Sequence, residues 1–152
     1  MDSNNNVLLL SWLTVIGMLT MYWSPVERCI DQCVYFLSEQ CPSKKPLTLN
    51  RKLEFIKNNL PITMIEQHHI DSLIKLTKST VKIRDICVHG VLETYDKEQI
   101  QISKVNGKKE DYILEIFTID YNRLDKSAKN LTMLVERWNA ISKTLLDIRK
   151  TS

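Results

Sequence analysis

The chain has 152 residues, of which 43% are hydrophobic and 26% charged, with a formal net charge of +3. That is the length of one domain, with apolar content enough for a core and charge enough for a soluble surface, which excludes a disordered chain. Three glycines and four prolines disfavour a turn-rich all-β fold, and the weak positive charge permits contact with nucleic acid without demanding it.

The first element is uncharged. No charged side chain occurs from Ser3 to Val26, and residues 7–23 form a nearly apolar run, close to the ~20 residues that cross a bilayer. The start Met1-Asp2-Ser3-Asn4-Asn5-Asn6 is polar and acidic, unlike the positive region that opens a signal peptide. Ser11, Thr14, Gly17 and Thr20 interrupt the run, Pro25 follows it, and the first flanking cation is Arg28; these features disfavour a span. The expected element is a helix over 7–22 covered by protein, with a partner subunit as a natural cover. A membrane tether through residues 7–23 is the alternative.

Ser24-Pro25-Val26-Glu27 has the order of an N-cap, a first-turn proline and a capping-box acid, so a second helix is expected to about residue 40. One long helix kinked at Pro25 satisfies the same residues. Cys41-Pro42-Ser43-Lys44-Lys45-Pro46 reads as a linker. A helix over 49–59 follows, with Leu49, Leu53, Ile56 and Leu60 on one face, and Pro61 marks its end. The longest helical pattern runs from about 63 to 89, with Ile70, Ile74, Val81 and Val88 in a stripe and Leu73 and Thr77 beside it. Gly90 is expected to stop it in the left-handed backbone conformation.

The hydrophobic period then changes to two. Ile100 and Ile102 alternate with polar residues, Val105 leads into Asn106-Gly107, and residues 112–119 return. This predicts a small β-hairpin within 91–119, closed by a two-residue turn at Asn106-Gly107. Asp120 can cap a final helix over 121–149, where Leu131, Leu134, Trp138, Ile141, Leu145 and Ile148 recur at spacings of three and four. The fold expected is therefore mainly α: an up-down helical bundle over one domain, 1–152, with a β-hairpin before the last helix.

The cysteines are Cys29, Cys33, Cys41 and Cys87, with no CxxC, and the histidines offer no HxxxH. Structural zinc is a poor fit, and reduced thiols in a cytoplasmic protein are expected. His68 and His69 are adjacent, so about 100° apart on a helix, and do not face one metal. No metal or cofactor is predicted. Asn130-Leu131-Thr132 matches a glycosylation acceptor but falls inside the predicted last helix, and is read as chance.

The residues that carry chemistry are Arg84-Asp85-Ile86-Cys87-Val88-His89, followed by Gly90. An Arg, a polar residue directly after it and a His after four intervening residues, at the end of the helix before the hairpin and last helix, resembles the HEPN superfamily of small helical-bundle proteins. That superfamily includes bacterial toxin and phage-defence ribonucleases. The resemblance implies a metal-independent endoribonuclease in which the RNA 2′-hydroxyl attacks the adjacent phosphorus. It assigns His89 the role of acid or base and Arg84 that of phosphate clamp, with Asp85 orienting His89. His suits proton transfer near neutrality, and Arg holds phosphate oxygens in a planar fork.

Five residues along a helix turn about 500°, so Arg84 and His89 lie roughly 140° apart around the axis. One straight helix therefore does not aim both at one phosphate. A relaxed helix end repairs this, as does the homodimer that the resemblance implies. The resemblance also implies RNA as substrate and an antitoxin or a nucleotidyltransferase as partner. Lys75, Lys78 and Lys82 share a face and are read as a track for an RNA backbone, or as an ordinary solvated face. The alternative functions are an inactive HEPN-like binding or regulatory module and the membrane-tethered helical protein.

Overall fold

In a computed structural model, described for residues 3–39, 45–61, 67–107 and 110–151, the chain is mainly α-helical. The order is α1 (Ser3–Met21), α2 (Trp23–Ser38), α3 (Leu49–Asn59), α4 (Gln67–His89), β1 (Val91–Tyr95), β2 (Gln99–Asn106), β3 (Ile113–Asp120) and α5 (Tyr121–Thr151). A small antiparallel sheet, in the order β1-β2-β3, thus precedes the last helix. Residues 41–44 of the expected linker lie outside the described residues, as does the side chain of His68.

The backbone divides into two compact units. The first comprises Met1–Tyr22 and Thr80–Asn130, and the second Trp23–Ser79 and Leu131–Ser152.

In the first unit, α1 buries Trp12, Val15 and Leu19, a spacing of three and four that defines one helical face. The Trp12 indole N–H donates to the carbonyl of Asp96 at 2.8 Å, and its ring meets Tyr121 edge-on at 5.1 Å. The sheet is pinned by its buried face. Ile100 pairs with Ile119 and Ile102 with Phe117, and both isoleucines of β2 and Ile119 are buried. A one-residue slip would turn these side chains to the other face, so the register is strongly specified.

That register corrects the two-residue turn expected at Asn106-Gly107. Asn106 is itself paired with Ile113, so the connection covers 107–112. Gly107 sits at φ 129°, and an added Cβ there would collide with the Asp111 carbonyl; glycine is required by both conformation and space. The hairpin is also extended by a strand the sequence pattern did not reveal. β1 pairs with β2 across a bulge between Leu92 and Thr94. The β1–β2 turn is closed by Asp96, whose carboxylate accepts from the N–H groups of Glu98 and Gln99 at 2.7 and 2.8 Å. Those two bonds hold its pKa below the usual carboxylate value.

The second unit is a helical core. Buried residues include Trp23, Val26, Ile30, Cys33 and Leu37 of α2, and Leu53 and Ile56 of α3. The α4 residues Ile70, Leu73 and Thr77 and the α5 series Leu131, Leu134, Trp138, Ile141 and Leu145 complete it. The Trp138 indole donates to the Thr77 hydroxyl at 3.0 Å, which in turn donates to the Leu73 carbonyl at 2.7 Å. Every polar hydrogen of that buried pair has an acceptor, as a low-dielectric core requires. The helix starts and faces follow local chemistry. Thr48 caps α3 by accepting from Arg51 N–H, and Ion pairs Lys52–Asp31 at 2.6 Å and Lys57–Asp71 at 2.8 Å lie at the unit's surface.

Candidate functional site

The last two turns of α4 belong to the first unit and carry Arg84, Asp85 and His89. The buried face of this segment is formed by Thr80, Ile83 and Ile86, so the stripe expected through Val81 and Val88 is displaced. Val81 is half-buried and Val88 is exposed. Arg84 lies at the edge of the buried face with its side chain 25% accessible. Its Nη1 donates to Asp85 Oδ1 at 2.9 Å, while its Nε is buried and makes no hydrogen bond among the described residues.

That pairing departs from the role expected of Asp85. Successive residues on a helix point in different directions, and the wheel places Asp85 one turn below His89. The long Arg84 side chain instead reaches round to the carboxylate beside it. The site therefore brings Arg84 and Asp85 together, and Asp85 is engaged by Arg84 and not by His89 among the described residues. His89 is the last residue of α4 and is exposed.

Gly90 ends the helix for a reason other than the one expected. Its N–H still donates to the Ile86 carbonyl at 2.9 Å, and among the described glycines the positive φ belongs to Gly107. The left-handed stop is thus not formed. The constraint is close approach: a Cβ on Gly90 would run into Ile102 Cγ2, lie 2.5 Å from the Ile86 carbonyl oxygen and 3.0 Å from that of Ser103. The end of α4 rests directly on β2, which fixes where Arg84 and His89 stand relative to the sheet.

Lys75, Lys78 and Lys82 are all exposed, with the first two in the second unit and Lys82 in the first. The second unit also holds a mainly apolar cleft of about 360 Å³, lined by residues that include His69, Leu73, Arg137 and Ile141. None of Arg84, Asp85 and His89 lines it. Arg137 carries no motif in the sequence, and only its place one position before the buried Trp138 hints at a cationic edge to that core.

Burial raises the pKa of each described thiol. Cys29, Cys33 and Cys87 are free. Burial pushes Cys33 up to about 12, with the neighbouring Cys29 adding to the effect, and pushes Cys87 up to about 11. Neither is a nucleophile at neutral pH. Among the described residues no three His, Cys, Asp or Glu side chains gather into a metal-binding group. Comparison with known protein families, with characterised proteins and with solved structures returns no match.

Proposed function

We propose that the chain is a HEPN-like protein acting as a metal-independent endoribonuclease of toxin or phage-defence type, and that it works as a homodimer in the cytoplasm. The observation that carries this reading is the placement of Arg84 and an exposed His89 in the last two turns of α4, directly before the sheet and the final helix. In the reaction, the RNA 2′-oxygen forms a bond to the adjacent phosphorus as its proton leaves to a base. The bond from phosphorus to the 5′-oxygen breaks as that oxygen takes a proton from an acid. His89 supplies one of these proton roles, and Arg84 faces the charge that accumulates on the phosphate oxygens. A second copy supplies the group for the other.

The Arg84–Asp85 pair favours a second reading, an inactive binding or regulatory module, because a guanidinium already neutralised at 2.9 Å is a weaker phosphate clamp. RNA cleavage by the purified full chain separates the two. The nuclease reading expects Arg84→Ala and His89→Ala each to lower the rate by about a hundredfold or more, and to relieve growth arrest on expression. Wild-type protein that neither cuts RNA nor slows growth, with both variants indistinguishable from it, leaves the binding module.

A further inference from the structure

The helix α1 uses only one of its two apolar faces. Trp12, Val15 and Leu19 are buried within the first unit. Val7, Leu10, Leu13, Met18 and Met21 are 42–76% exposed, and Thr14 and Gly17 lie among them at helical spacing. Residues 7, 10, 14, 17 and 21 recur at three and four, the spacing of a helix–helix seam, over about 21 Å of axis.

Three observations say what covers this face. The first is charge. From Ser3 to Val26 there is no charged side chain, and the exposed hydroxyl of Thr14 donates to its own helix at the Leu10 carbonyl, 2.7 Å away. The face therefore asks nothing polar of its partner, and an uncharged surface is complementary to it. The second is shape. An ideal Cβ on Gly17 has nothing within 4 Å, so the middle of the seam is a notch into which a second backbone can settle closely. The third excludes immersion in lipid. The helical run Ser3–Ser38 is apolar and long enough, by length and composition, to cross a bilayer, yet Trp12 at the middle of its uncharged part is bonded to Asp96. Asp96, Lys97 and Glu98 are all exposed, and such a charged turn is not held at the depth of hydrocarbon. The helix also lacks the cationic face with which amphipathic helices lie on a membrane surface.

From these we infer that the open face of α1 is a two-fold seam between two copies of this chain, with the helices crossing at Gly17 and Leu10, Leu13, Met18 and Met21 packed around the crossing. The seam identifies the surface for the dimer of the proposed function, and it stands or falls separately from RNA cleavage.

Sedimentation equilibrium of the full chain without detergent tests it, with wild type, Gly17→Leu and Leu10→Lys compared. A Cβ at position 17 has nothing within 4 Å in one copy and leucine improves helix propensity, so circular dichroism should show an intact fold. Across the seam it blocks the crossing and weakens self-association by about tenfold or more, and Leu10→Lys does the same by placing charge there. A dimeric wild type with folded, dissociated variants supports the seam. A monomeric wild type, or variants that dimerise undiminished, overturns it. So does wild-type protein that stays insoluble without detergent or floats with phosphatidylcholine–phosphatidylglycerol vesicles, which would give the face to lipid.

Discussion

The Arg84 guanidinium is held by the carboxylate of the next residue, Asp85, at 2.9 Å. Both side chains keep partial access to water, 25% and 41%, so the pair adds little to stability and acts mainly on how free the cation is. Asp85→Asn is expected to change unfolding free energy by less than about 1 kcal/mol. In the nuclease reading it also strengthens RNA binding, because the guanidinium no longer carries its own counter-ion. Urea titration and a fluorescence binding isotherm check the two halves, and weaker RNA binding in the variant would restore the supporting role first assigned to Asp85.

Gly90 gives a sharper stability test. Alanine adds one methyl group where Ile102 and the Ile86 carbonyl already stand, and the backbone oxygen has no rotamer by which to withdraw. Gly90→Ala should destabilise by about 1–3 kcal/mol, read from the urea midpoint. A neutral outcome would mean that α4 does not rest on β2 as described.

In the second unit, Thr77→Val leaves the Trp138 indole N–H without its acceptor inside a buried core. The expected loss is about 1–3 kcal/mol. Because Trp138→Phe removes the donor as well as apolar surface, adding Thr77→Val to it should cost less than it does alone. Chemical denaturation of the four proteins measures that coupling, and strict additivity would show that the two groups do not interact.

The Asp96 turn is expected to respond to acid. Its pKa is lowered in the folded chain by the Gln99 and Glu98 amides, so the turn's contribution is present above the ordinary carboxylate value of 3.8 and disappears as pH falls through the lower folded value. Hydrogen exchange at the Glu98 and Gln99 amides, corrected for the intrinsic rate, should keep its protection to below pH 3.8 and lose it further down. In Asp96→Ala that protection should be lost at every pH.

Cys33 and Cys87, held at about 12 and about 11, should be alkylated by iodoacetamide at pH 8 about a hundredfold or more slowly than an exposed thiol. Peptide mapping before and after denaturation checks this. Fast labelling of either in the native chain would place it outside the core.

What the sequence determined by itself was the part of the fold written in short-range chemistry. The 49–59 helix is found where expected because Leu53 and Ile56 fall on one face, and the structure adds Thr48 as its cap. Asp120 caps α5 through the Arg123 N–H at 2.7 Å, and the series from Leu131 to Leu145 is buried as its spacing predicts. Those signals need only a few neighbouring residues and the pitch of a helix. Tertiary structure decided what depends on distant segments meeting. The register of β2 on β3 follows from which isoleucines are covered, and β1 exists because β2 offers it an edge. Gly90 is required because Ile102, twelve positions on, lies against it. Arg84 pairs with Asp85 at the edge of the face that Thr80, Ile83 and Ile86 bury, and a wheel drawn from the sequence contains angles but no neighbours. For α1 the composition showed an apolar helix, and only the packing of Trp12, Val15 and Leu19 showed which of its faces remains open.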